Sequence, residues 1–130
     1  MNENEISKIV VETAIAIHRE IGPGLLESVY EAILCHELNS RRLQVKQQVG
    51  IPIRFRDLQF DQGFRADIIV EDKVILELKS IEHVSAVHRK QLLTYLRLSG
   101  MKLGLLLNFG EGLMHRGITR LVNGLEEEAK

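Results

Sequence analysis

The strongest constraint on the fold is a change of hydrophobic period at Arg41-Arg42. Before it, apolar residues recur every three to four positions; after it, they alternate with polar ones. Such a switch calls for helices first and a sheet afterwards. Ile6, Ile9, Val10, Thr13, Ile17 and Ile21 make one stripe, which predicts a first helix over residues 5–21. Asn2 with Glu5 three positions on has the form of a capping box, and Gly22-Pro23 is a stop signal. A second helix is expected over residues 25–39, with Leu26, Val29, Tyr30, Ile33 and Leu38 on its buried side. The short Gly22-Pro23-Gly24 joint implies that the two helices pack as a hairpin.

Val45, Val49, Ile51, Ile53 and Phe55 then alternate with polar residues, as in a half-buried strand. Pro52 lacks a backbone donor, so this strand belongs at a sheet edge or carries a bulge there. Further strands are expected over residues 64–70 and 73–80, joined by a tight turn at Glu71-Asp72. A third helix over residues 85–99 ends at Gly100. The apolar run from Leu103 to Phe109 suits a strand buried on both faces. Residues 117–122 fit either a strand or a short helix. The order is ααβββαβ, an α/β domain without linker or repeat.

The 130 residues fit one domain spanning 1–130, with an acidic C-terminal stretch over about 125–130 that contains Glu126, Glu127 and Glu128. No apolar stretch approaches the roughly 20 residues of a membrane span. The first residues are polar and unlike a signal peptide, and Cys35 stands alone, which excludes an intrachain disulfide and any multi-cysteine zinc site. A cytoplasmic setting is expected. The net charge of −1 argues against holding nucleic acid by bulk electrostatics. Arg41-Arg42, Arg54 with Arg56, and His88-Arg89-Lys90 are local basic clusters that carry little weight alone.

Chemistry enters through Glu77-Leu78-Lys79. Three E-x-K triplets occur, at Glu71, Glu77 and Glu128, and about one is expected by chance. The first lies at a turn and the last at the C-terminus. Only the middle one sits inside an apolar strand, among Val74, Ile75, Leu76 and Leu78. Alternation puts Glu77 and Lys79 on one face together with Ile75. Asp67 on the preceding strand is likewise a charge among apolar neighbours. A two-residue turn would place Asp67 opposite Leu76, on the wrong face. A three-residue loop with Asp72 in the left-handed conformation would pair Ile69 with Lys73 and bring Asp67 beside Glu77. Two carboxylates converging beside an ammonium suit a hard divalent cation such as Mg²⁺, with Mn²⁺ as a substitute. Such an ion neutralises a phosphodiester and activates water, while a lysine orients that water or offsets developing charge. The structural alternative is a cross-strand charge pair with Lys79 bridging two acids.

Asp67 followed ten residues later by Glu77-Leu78-Lys79 resembles the signature of the PD-(D/E)XK nuclease superfamily. The element order is similar to its restriction-endonuclease-like αβββαβ core, a mixed central sheet flanked by helices, with an added N-terminal helix. Gly24-Leu25-Leu26-Glu27-Ser28-Val29-Tyr30 resembles the G-x-x-E-x-x-Y motif of a small family of that name. Gln91-Leu92-Leu93-Thr94-Tyr95 is similar to the Q-x-x-x-Y motif of the RecB-like branch. Ala66 departs from the proline of the superfamily's name, at a position that varies.

The resemblance implies metal ligation by Asp67 and Glu77, aided by the backbone carbonyl of Leu78 and by Glu27 from the second helix. It makes Lys79 the catalytic lysine. Apart from the motif, Glu27 is an acid in a helix's first turn, where it opposes the dipole. Gln91, Tyr95 and His88 share a helix face and are candidates to contact substrate, or a satisfied buried set. The other histidines show no metal-ligand spacing, and Gly110-Glu111-Gly112 reads as a turn. The expected function is Mg²⁺-dependent hydrolysis of nucleic-acid phosphodiesters, DNA foremost, with a homodimer as the candidate assembly. The alternatives are a non-catalytic nuclease-fold module that binds nucleic acid or a protein partner, and a structural homodimer.

Overall fold

A computed structural model describes residues 1–126. Its first helix begins where the sequence offers a cap: Asn2 Oδ1 accepts from Glu5 N at 2.8 Å, and Glu5 Oε1 accepts from Asn2 N at 3.1 Å. Helix α1 therefore spans Glu3–Ile21, two residues earlier than the apolar stripe alone suggests. Ile6, Val10, Ala14 and Ile17 are its buried face. Helix α2 covers Glu27–Ser40. Between them Gly22 and Gly24 have φ of +74° and +110°, which the absence of a Cβ permits. Tyr30 locks this joint: its hydroxyl donates to Gly22 O at 2.6 Å and accepts from Leu25 N at 3.2 Å. The Tyr30 ring is fully buried and stacks on Phe109 with 4.4 Å between centroids.

The buried face of α2 differs from the expected one. Tyr30 and Leu38 are buried with Leu34 and Cys35, while Leu26 and Val29 are exposed. The helix starts two residues later than its apolar pattern does, so Leu26 precedes the helix as its N-cap.

Five strands form one mixed sheet in the order β1 (Val45–Phe55), β2 (Leu58–Val70), β3 (Val74–Lys79), β4 (Leu103–Asn108), β5 (Ile118–Val122). Strands β3 and β4 are parallel and are joined through helix α3 (Ala86–Ser99); all other pairs are antiparallel. This is the restriction-endonuclease-like α/β arrangement, with α1 as the added N-terminal helix. A short 3-10 turn at Met114–Arg116 leads into β5, which resolves the ambiguous segment as a strand. Helices α1 and α2 cover one sheet face over a large core that includes Leu76, Leu78, Leu105 and Leu107. Helix α3 covers the other over Ile75, Leu92, Leu96 and Leu106. Among the described residues no helix is long and apolar enough to cross a membrane. Of the acidic C-terminal stretch, residues 127–130 lie outside the described residues.

Strand β1 is an edge strand, and its register on β2 shifts between Ile51 and Ile53, at Pro52. Strand β2 starts six residues before its expected beginning, so β1 and β2 form a long hairpin turning at Arg56-Asp57. Its outer part leaves Phe55, Leu58 and Phe60 exposed.

Both hairpin strands also change faces. Val45, Ile68 and Val70 pack into the α1/α2 core, whereas Val49, Ile51, Phe64 and Ala66 pack on the α3 side. Strict alternation would keep Val45, Val49 and Ile51 together, as the sequence pattern suggests. The exchange occurs at Gln48, whose φ is +50°, a conformation costing a non-glycine residue about 1–3 kcal/mol. The flanking pairs Gln47↔Ile68 and Val49↔Ala66 set Asp67 across from Gln48. The strained step thus coincides with the acidic residue.

Candidate active site

The β2–β3 turn brings the predicted carboxylates together. Three residues, Glu71-Asp72-Lys73, separate the paired Val70 and Val74, and Glu71 and Asp72 both have φ near the left-handed region, +53° and +54°. Left-handed residues let so short a connection follow the strand twist. Ile69 pairs with Ile75 instead of Lys73, but the parity is the one that puts Asp67 and Glu77 on one face. Carried one step beyond Ile68↔Leu76, this register sets Asp67 opposite Glu77.

Asp67 Oδ2 accepts from Leu78 N at 2.9 Å, which fixes the carboxylate against β3. Glu77 lies next to it, mostly buried, and its Oε1 has no hydrogen-bond partner among the described residues. The Glu77 pKa is pushed up from 4.5 to about 9. Burial is the main cause, followed by the hydrogen bond to the Asp67 side chain and the Asp67 charge; an Asp67 backbone hydrogen bond and Lys79 pull it down. At neutral pH Glu77 therefore keeps its proton. Lys79 ends β3 on the same face as Glu77. Among the described residues it makes no salt bridge, so it does not bridge the two acids as a structural charge ladder would require.

Helix α3 supplies Tyr95 to this region. Its ring stacks on Phe64 with centroids 3.9 Å apart and planes 5° from parallel. Its pKa is raised by burial and then by the charges of Glu77 and Asp67, which marks how near it sits to the pair. Gln91, one turn earlier, is exposed without a hydrogen bond among the described residues. His88 is occupied locally: its Nδ1 accepts from Ser85 N at 3.1 Å in the capping box of α3. Glu27 opens α2, is exposed, and has no hydrogen bond or ion pair among the described residues. Its neighbour in the joint, Leu25, accepts from Ser80 Oγ at 2.6 Å, so the start of α2 borders the end of β3. No cluster of three acidic, His or Cys side chains close enough to hold a metal ion exists among the described residues.

The model of the PD-(D/E)XK nuclease superfamily matches residues 4–121, nearly the whole chain. The chain belongs to the PD-(D/E)XK nuclease superfamily. No curated protein and no solved structure matches it. Nucleases of this superfamily generally use divalent metal ions. The residues present fit such an ion: Glu77 Oε1 is a buried oxygen with no partner among the described residues, and a cation would supply that partner and make ionisation of Glu77 beside Asp67 favourable.

Three residues around the pair had no sequence signal. Gln48 Nε2 donates to Glu31 Oε1 at 2.8 Å and lies 3.5 Å from Asp67 Oδ1. Gln47 Nε2 donates to the other Glu31 oxygen at 3.0 Å. Glu31, one helical turn after Glu27, is thus tied to the site through Gln48. In the sequence Gln47 and Gln48 fill ordinary polar slots of an alternating strand, and only the left-handed φ of Gln48 turns it toward Asp67.

Proposed function

We propose that this nuclease-superfamily chain is an active Mg²⁺-dependent phosphodiesterase acting on DNA, in the G-x-x-E-x-x-Y group of the RecB-like branch. The observation that carries it is the Asp67–Glu77 pair, set across two strands beside Lys79, which makes no salt bridge among the described residues, with a buried carboxylate oxygen that none of those residues satisfies. In this reading Asp67, Glu77 and the Leu78 carbonyl hold the ion, and Glu27 approaches from the start of α2. When bound, the cation offsets the phosphodiester charge and makes water a stronger nucleophile. Hydrolysis forms one P–O bond to water and breaks the P–O bond to the leaving nucleotide oxygen.

The chain's own residues do the rest. Glu77 releases its proton on loading, because a ligand carboxylate must be ionised. Leu78 N–H keeps Asp67 oriented. Lys79 donates to a phosphoryl oxygen or to the attacking water, where charge develops. Tyr95, held flat against Phe64, presents its hydroxyl to the strand, with Gln91 and the free face of His88 further along α3. Support for a non-catalytic binding module rests on the net charge of −1. Incubating the purified chain with labelled single- and double-stranded DNA and RNA, with Mg²⁺, Mn²⁺ or EDTA, tests the proposal. Metal-dependent cleavage of DNA is expected; binding without cleavage under every metal would leave the module reading.

A further inference from the structure

The sheet face that carries the acidic pair continues past Lys79 into a second, basic cleft. Lys79 pairs with Asn108 on β4, and Leu106 on that strand pairs with Thr119 on β5. Leu106 packs with Ile75 under α3, so Glu77, Lys79, Asn108 and Thr119 lie along one face. At its far end is a cleft of about 190 Å³ lined by His83, Arg89, Asn108, Glu111, Arg116 and Thr119. Neighbouring strands are about 4.8 Å apart, which puts β5 about 10 Å from β3.

The cleft is held open by fixed structure. Asn108 is fully buried; its Oδ1 accepts from Ile81 N at 3.1 Å and Gly110 N at 3.0 Å, and its Nδ2 donates to Ile81 O at 3.0 Å. These bonds staple the loop before α3 to the end of β4. A Cβ on Gly110 would lie 2.1 Å from Ile81 O, so the staple needs a glycine there. Opposite, the buried His18 bonds Glu111 O at 2.7 Å and anchors the other wall.

Arg89 and Arg116 face this space without an ion pair or side-chain hydrogen bond among the described residues. Among the described residues Glu111 is the one carboxylate in the lining, and His83 contacts the exposed Glu82 at 3.9 Å outside it. Two guanidinium groups against one carboxylate leave the cleft net positive. Guanidinium forks match phosphate oxygens, and the Thr119 hydroxyl adds a donor. The volume is about six times a water's share of the liquid, room for a phosphate group.

We propose that this cleft binds a phosphate of the nucleic-acid strand flanking the one at Asp67 and Glu77, with Arg89 and Arg116 as its contacts. The proposal rests on the nuclease reading for the identity of the strand, and it lays that strand across β3, β4 and β5. It makes Arg89 and Arg116 binding residues that leave the chemical step untouched.

The test is the Arg89→Ala/Arg116→Ala double variant of the full chain. Fluorescence anisotropy with a labelled DNA oligonucleotide in EDTA should show affinity at least tenfold weaker. The slope of log affinity against log salt should fall by about 1.4 to 1.8, from two lost phosphate contacts. Bis(4-nitrophenyl) phosphate, a phosphodiester with no flanking phosphate, should be hydrolysed at the wild-type rate, while KM for the oligonucleotide rises. The Arg→Lys double variant should restore most of the salt slope. Should the alanine variant melt early, the single variants Arg89→Gln and Arg116→Gln carry the test, each with a slope reduced by about 0.7 to 0.9. Unchanged affinity and slope, or no binding by wild type, overturns the cleft. Wild type that binds with the expected slope but cleaves neither substrate instead sinks the catalytic reading and leaves the cleft standing.

Discussion

Replacing Glu77 by Gln should make the metal-free protein more stable at neutral pH. Glu77 has its pKa raised from 4.5 to about 9 by burial and by Asp67. A carboxyl raised in this way binds more protons folded than unfolded between those values, so stability is full below pH 4.5 and falls as pH rises towards 9. The slope is about 1.4 kcal/mol per pH unit, and the loss accumulated by pH 7 is on the order of 3 kcal/mol. Gln keeps the volume, offers a neutral donor to Asp67, and does not titrate. The variant should match wild type near pH 4.5 and exceed it by about 2–3 kcal/mol at pH 7. For a domain of this size that is a melting-temperature gain of roughly 6–12 °C. Urea titrations of both proteins in EDTA at several pH values between 5 and 8 read the difference directly. Parallel pH profiles, or a Gln variant less stable than wild type at pH 8, would refute the reasoning.

Divalent metal should stabilise wild type by about 1.4 kcal/mol at ten times its dissociation constant, a melting shift of roughly 3–6 °C, and should leave Glu77→Gln nearly unmoved. Because loading displaces the Glu77 proton, calorimetry should find metal affinity dropping about tenfold per pH unit below 8. Asp67→Asn keeps an acceptor for Leu78 N–H while removing a charge, so its metal-free melt should equal or exceed that of wild type and its metal response should vanish. Tyr30→Phe loses the two hydrogen bonds that clamp the Gly22–Leu25 joint and should cost about 1–3 kcal/mol in a denaturant titration, with the stack on Phe109 retained.

Much of this site was legible because its features are local. The change of period, the capping box at Asn2 and the apolar run of β4 each follow from a few adjacent residues, and each element forms where they place it. The parity argument linking Asp67 to Glu77 needed only an odd loop length, and it survived a loop shifted by one residue. What sequence hid depends on tertiary context. The first half of β2 has no buried face, so Leu58–Gly63 carries no clean alternation. The face exchange at Gln48 is invisible because β1 alternates straight through it; only packing against two different cores reveals it. The same holds for α2, where the Tyr30 clamp rotates burial towards Leu34 and Cys35 and away from Leu26 and Val29. Glu31 joins the site solely through that exchange, by way of Gln48.

The central claim is that Asp67, Glu77 and Lys79 form a working nuclease centre. Its most direct test is single-turnover cleavage of a labelled DNA duplex by wild type and Lys79→Ala at saturating Mg²⁺, with metal affinity measured on the same preparations. The account predicts a rate lower by a factor on the order of 10² or more for Lys79→Ala, typical of losing one positioned catalytic group, with metal affinity within a few-fold of wild type. Equal cleavage by the two proteins would contradict it and move the activity, and the site, elsewhere.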